Sequence, residues 1–437
     1  MSEKALYTEL LDFLRRSPTP FHAAENILNS LLAQGFVRLH EADAWQLQAG
    51  GRYVVVRNDS SVIAFALGQD DPVEYGLRMV GAHTDSPCLK VKPNPELKRN
   101  GYFQLGVEVY GGALLGPWFD RDLSLAGRVT YVDERGALAS ALIDFERPVA
   151  TIPSLAIHLD REVNNNRAIN PQTQLPPVLM SCGANGAPDF RELLLAQVLQ
   201  QYPHSGARQV LDYEMSLYDT QPAALVGLEQ EFVAGARLDN LLSCFIGLRA
   251  MLSAHAAADS QARGALLVCS DHEEVGSCST SGAQGTFLQT VLQRIAGSYE
   301  DGARLADRSV LISCDNAHGI HPNFSDRHDA NHGPLLNRGP VIKINANQRY
   351  ATNSETAAMF RRLCQRADVP VQSFVVRTDM ACGSTIGPII ATETGIKTVD
   401  VGMPQWAMHS IRELAGARDG GYLLQALLQF FNEPRQG

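Results

Sequence analysis

Two adjacent glutamates, Glu273 and Glu274, stand in CSDHEEVGS at positions 269–277. Like charges side by side at the end of an apolar, strand-like run need either water or a nearby positive charge. Other residues able to hold a metal occupy comparable places. His83 follows LRMVGA (77–82), and His272 and the glutamate pair follow ALLVCS (265–270). Asp315 follows SVLIS (309–313), and His409 follows KTVDV (397–401) after a loop. Asp239, in ARLDNL, stands at the start of a helical pattern. Imidazole and carboxylate suit zinc, manganese or cobalt. Two histidines with three or four carboxylates exceed the needs of one tetrahedral zinc. They match two ions about 3.5–4 Å apart with a carboxylate between them. There is no HExxH pair, and each residue also has a plainer reading. His83 and Asp315 would close turns, and Asp239 would serve as a helix N-cap. His409 would be an ordinary core or surface histidine, and the glutamates would form a solvated turn.

The elements that must position these residues can be read from periodicity. YVVV (53–56), VIAFAL (62–67) and LRMVGA read as strands, as do ALLVC, SVLIS, SFVV (373–376) and KTVDV. Apolar spacing over 3–16 predicts a helix. Thr19-Pro20 predicts the capped start of another, running to about Gly35. Helical patterns also cover 239–252, 286–297, 354–367 and 421–431. Alternation of this kind implies an α/β fold, a mixed sheet covered by helices. In such sheets ligands sit beyond the carboxyl ends of the strands. That rule brings His83, Glu273, Glu274, Asp315 and His409 to one rim. The stretch from 94 to 227 differs, with short strand-like pieces, many glycines, an asparagine-rich loop (162–177) and one helix near 188–201. It predicts an inserted β-rich domain. The catalytic domain would then be discontinuous, 1–93 plus 228–437.

Composition narrows the class. The 437 residues carry a formal net charge of −10, with 45% hydrophobic residues. An acidic balance argues against nucleic acid, which demands a basic footprint, and against anionic membrane surfaces. The N-terminal MSEKALYTELLDFLRR has no long apolar run, so no signal peptide is expected. Eight scattered cysteines without a CxxC pair point to buried free thiols and a cytoplasmic setting.

In order along nearly the whole chain, SPTPFHA, GAHTDSPCLKVKP, RLDNL, SDHEEVGS, CDNAHGIHPN, GPVIKINANQRYA and MHSIRE resemble the M18 family of metallo-aminopeptidases, of the aspartyl aminopeptidase kind. The resemblance implies two divalent metal ions per subunit, zinc first, with cobalt or manganese as alternatives. His83 and Asp315 would hold one ion, Glu274 and His409 the other, and Asp239 would bridge them. Glu273 would be the general base toward a metal-activated water, and Asp85 would orient His83. Lys343 would meet the acidic side chain of a substrate beginning with Asp or Glu, with His318 and His321 near the pocket. His158 would reach the active site of a neighbouring subunit in a homo-oligomer, a tetrahedral dodecamer in this family. From the residues alone, Lys343 also reads as an outward position on an alternating strand. His158 is simply a strand or loop histidine, and the glycine-rich CGSTIGP (382–388) is either a substrate approach or a turn.

Two other functions fit parts of the pattern. A two-metal phosphoesterase uses similar ligands but wants more cations around a phosphate. A non-catalytic scaffold of the same fold would lack a ligand or the base, whereas every rim position here is filled. The glutamate pair is expected in an extended segment, where neighbouring side chains point apart.

Overall fold

A computed structural model describes residues 3–182, 188–254 and 264–433. The chain forms two compact units: 1–85 with 223–408 and 413–437, and 86–222 with 409–412. The first boundary precedes the expected 93/94 because a strand of the second unit, Cys88–Arg99, already begins there. His409–Arg412 also belongs to the second unit, although the sequence reading puts it in the discontinuous catalytic domain.

Among the described residues, the first unit is built on a nine-stranded sheet. In chain order its strands are β1 (Val37–Arg38), β2 (Arg52–Arg57), β3 (Ser61–Ala66), β4 (Arg78–His83), β5 (Ala265–Ser270), β6 (Val310–Cys314), β7 (Val341–Lys343), β8 (Gln372–Phe374) and β9 (Lys397–Gly402). Their spatial order is β1-β2-β3-β5-β4-β6-β9-β7-β8. The four central strands, β5, β4, β6 and β9, run parallel. The flanking pairs β3–β5 and β9–β7 are antiparallel, so the sheet is mixed, as expected.

The run ALLVCS in β5 is buried along its whole length. Ala265, Leu267 and Cys269 face one apolar layer; Leu266 and Val268 face the other. A strand covered on both sides reads as a continuous apolar run rather than an alternating one. Each buried Leu or Val there contributes about 1.5–3 kcal/mol. Helices Glu3–Arg16, Pro20–Ala33, Leu238–Ala254, Ser354–Arg366 and Asp419–Phe431 supply the first layer, and Phe287–Ala296 and Ile386–Thr394 the second. Pro20 opens its helix behind Thr19, whose hydroxyl accepts from the His22 amide. The helix Tyr299–Arg308 escapes the sequence reading because it buries little beyond Leu305.

A further sheet of short strands also escapes it: Ala224–Val226, Phe232–Gly235, Glu413–Gly416, Pro404–Trp406 and Ala317–His318. Strands of two to four residues are too short to show a period.

Among the described residues, the second unit is built on a six-stranded antiparallel sheet. Helix Phe190–Gln201 packs on it through Phe190, Leu194 and Val198. All eight cysteines are free. Cys244, Cys269, Cys314 and Cys364 are buried as expected, but Cys278 is exposed. Among the described residues no helix is long and apolar enough to cross a membrane.

Candidate metal centre

The parallel register delivers the site. His83 is the last residue of β4 and pairs with Ser270, the last of β5. The neighbouring strand β6 ends at Cys314, immediately before Asp315. His83, Asp239 and Glu274 each place a ligand atom within 4.8 Å of the others. His83 and Asp239 are buried and Glu274 is half-buried.

His83 is held in one orientation. Its Nδ1 lies 3.1 Å from the Asp85 carbonyl oxygen and 3.3 Å from Asp85 Oδ1, so Nδ1 donates. Nε2 then faces the acids, 3.4 Å from Asp239 Oδ1 and 4.0 Å from Glu273 Oε2. The Cys244 thiol donates to the His83 carbonyl at 3.0 Å.

Asp85 has a second task. Its two carboxylate oxygens accept the backbone amides of Glu273 and Glu274, each at 3.1 Å. One buried carboxylate therefore fixes both the imidazole and the glutamate pair. Sequence reasoning gives Asp85 only the first task, because a contact between residues so far apart in the chain leaves no local signal.

The glutamates do not lie in an extended segment. Glu273–Val275 is one 3₁₀ turn between His272 at φ 62° and Gly276 at φ 95°. The amides that the turn leaves without intrahelical partners are those Asp85 takes. Residues Glu273 and Glu274 still diverge, since consecutive positions on a 3₁₀ turn are about a third of a turn apart.

Asp239, the second residue of Leu238–Ala254, has extended backbone, φ −84° and ψ 103°. Its amide donates to Glu413 Oε2 at 2.9 Å, and Gln405 Nε2 donates to Glu413 Oε1 at 3.4 Å. Asn316 Nδ2 donates to Gln405 Oε1 and to the Leu238 carbonyl. The short-strand sheet therefore props Asp239, and the supporting residues Glu413 and Gln405 go unread in the sequence for want of any period.

The electrostatics are those of a crowded acid cluster. Burial raises the Asp315 carboxyl above its usual range against the pull of Lys343, and Asp239 adds to the rise. Burial also raises Glu274 well above it, and repulsion from Asp239 adds to this. Burial pushes Glu273 up to about 8; His83 pulls it down, and the charges of Asp315, Asp85 and Asp239 push it up. Burial would lower His83, but the carboxylates of Asp239 and Asp85 hold its imidazole well above the ordinary value. The acids thus draw positive charge onto His83 Nε2. A divalent cation among His83, Asp239 and Glu274 would meet the same demand more fully, and imidazole with carboxylates is a donor set that zinc accepts. The residues present fit a metal ion.

The other expected residues are placed as follows. Lys343 is buried, with Nζ 3.5 Å from Asp315 Oδ2 and donating to the Asn316 carbonyl at 3.1 Å. It is therefore not the outward residue of an alternating strand. His318 is exposed, its ring edge-on to Phe374, and the His321 ring lies against Trp406. CGSTIGP runs into helix Ile386–Thr394, which Thr385 caps. Two residues lie in the second unit. His409, at φ 67°, puts Nδ1 3.2 Å from the Gly112 carbonyl, so Nδ1 donates. His158 is exposed in a loop.

Known proteins match this chain. The family model described as aminopeptidase I zinc metalloprotease (M18) matches residues 13–431. A curated relative from Ectopseudomonas mendocina, named probable M18 family aminopeptidase 2, is 60% identical over 425 residues, 97% of each chain. A chain in the cryo-EM structure of the Ape4 and Nbr1 complex superposes with a TM-score of 0.94 at 38% identity, covering 98% of this chain and 86% of that one. A chain in the structure of the S. cerevisiae mApe1 dodecamer superposes with a TM-score of 0.84 at 27% identity, covering 99% of this chain and 97% of that one. With a family match over nearly its whole length and relatives this close, the chain belongs to the M18 family of zinc metallo-aminopeptidases and is a hydrolase of peptide bonds.

Proposed function

We propose that the protein is a dinuclear aminopeptidase that removes acidic N-terminal residues, Asp and Glu, from peptides in the cytoplasm. The observation that carries the reading is the convergence of His83, Asp239 and Glu274 within 4.8 Å, with Glu273 beside them. Two divalent ions, zinc first, would supply the Lewis acidity that activates a water and polarises the scissile carbonyl. His83 and Asp315 would hold one ion and Glu274 the other, with Asp239 shared. His409 is assigned to the second ion on the motif MHSIRE. Glu273 takes the proton of the attacking water and carries it to the leaving amine. Asp85 keeps His83 in the tautomer that presents Nε2.

Lys343 supplies the cation for the substrate's side-chain carboxylate. Its Nζ lies 3.5 Å from Asp315, one of the proposed metal ligands, which supports this. The test is a panel of peptides beginning with Asp, Glu, Ala and Leu. Wild-type protein favours the acidic pair. Lys343→Ala reduces that preference roughly 10–100-fold, the worth of one charge-assisted hydrogen bond. The ratio between substrates is the readout, since loss of Lys343 also disturbs Asp315. An unchanged ratio moves the specificity pocket elsewhere.

The first unit is the catalytic one and residues 86–222 serve assembly, in a homo-oligomer that we take to be a tetrahedral dodecamer. The mApe1 relative is described as a dodecamer. Leu155, Ile157 and Leu159 are exposed on either side of His158, and clustered exposed apolar residues mark contact surfaces. We assign His158 to the active site of a neighbouring copy, as a donor to the developing oxyanion. His158→Phe is expected to lower kcat roughly 100-fold with native mass unchanged. Wild-type kcat in the intact oligomer would leave His158 structural. The cytoplasmic setting rests on eight free cysteines.

A further inference from the structure

His272 precedes the glutamate pair and has no part in the chemistry above. We propose that it is the positioning residue that sets the Glu273–Glu274 turn from behind, through its ring contact with Ser279. This rests on the reading of Glu274 as a metal ligand.

The backbone shows the first half of the device. His272 sits at φ 62° and ψ 22°, in the left-handed region that a β-carbon disfavours. From there its carbonyl accepts the amides of Ser277 at 2.7 Å and Val275 at 3.4 Å, which closes the loop around both glutamates. The side chain shows the second half. Its Nδ1 lies 2.8 Å from Ser279 Oγ and 3.3 Å from Ser281 Oγ. Ser279 Oγ also accepts the Gly282 amide at 2.8 Å, which fixes the hydroxyl against the ring. Nε2 points toward Asp271, 3.6 Å from Oδ2, and Asp271 Oδ1 accepts the His272 amide at 2.8 Å.

The far side of the loop is tied to the sheet. Ser61, the first residue of β3, accepts the Asp271 amide and donates to the Ser281 carbonyl. The imidazole is therefore clamped between two segments that β3 anchors, while Asp85 holds the glutamate amides from the front. If the ring is lost, the turn keeps its Asp85 contacts but can rotate about them, and the Glu274 carboxylate is no longer aimed.

The test is a double-mutant cycle on the full chain. Demetallated protein is titrated with zinc by calorimetry, and kcat and KM are measured on reconstituted protein. We expect His272→Ala to weaken zinc binding roughly 10–100-fold, the usual cost of losing a residue that orients a ligand, with kcat falling and KM steady. Ser279→Ala, a milder change, should weaken it in the same direction. The double variant should be no worse than His272→Ala alone, because the two residues act as one contact. His272→Gly accepts the backbone conformation but lacks the ring, and should bind zinc as poorly as the alanine variant. Wild-type zinc affinity in the glycine variant, additive effects in the cycle, or unchanged zinc binding in Ser279→Ala would each overturn the proposal. Wild-type protein that takes up no zinc overturns the metal reading itself, which separates the two failures.

Discussion

Glu273→Gln is expected to bind zinc as the wild type does and to lose roughly 10²–10⁴ in kcat, the span that general acid–base groups supply. The exchange is nearly isosteric. It leaves the backbone amide of residue 273 on Asp85 Oδ1, so the turn should hold and Glu274 should stay aimed. What is removed is the carboxylate's charge and with it the ability to take and return a proton. Zinc titration and steady-state kinetics on one preparation check both halves. Retained turnover would show that another group carries the proton. Lost zinc binding would show that Glu273 is itself a ligand, and the two adjacent roles would have to be exchanged or merged.

Asp239→Ala is expected to be at least as severe, with turnover below detection and both metal equivalents weakened. Asp239 Oδ1 lies 3.4 Å from His83 Nε2, and Asp239 shares the cluster with Glu274. It is thus the member common to both halves of the proposed centre. Its removal also takes away the carboxylate nearest His83 Nε2, while Glu413 supports the Asp239 backbone amide. Metal content after gel filtration distinguishes this from a folding defect: a folded variant should elute as the wild type but hold less zinc. A variant that keeps two equivalents would remove Asp239 from the bridge.

The sequence carried much of the frame and little of the fine support. Apolar runs near β4, β5, β6 and β9 were legible because both faces of those strands are covered. The rule that ligands gather beyond parallel strand ends put His83, Glu273, Glu274, Asp315 and His409 on one rim; β4, β5 and β6 do run parallel beneath the first four, whereas His409 falls in the second unit. The roles within the glutamate pair came from motif resemblance, since no spacing distinguishes Glu273 from Glu274. The extended segment expected there was wrong. His272 and Gly276 turn the chain through left-handed conformations, and a histidine at positive φ leaves no trace in hydropathy. Asp85 on the glutamate amides, Glu413 on the Asp239 amide and Ser61 under the 271–281 loop were invisible for another reason. Each joins segments far apart in the chain through one polar contact, and such contacts have no period.

The most direct test of the central claim is anomalous scattering at the zinc edge from crystals of the zinc-loaded protein. The account predicts two peaks per chain about 3.5–4 Å apart, with Asp239 between them, His83 on one and Glu274 on the other. A single peak, or two peaks that do not share Asp239, would contradict it.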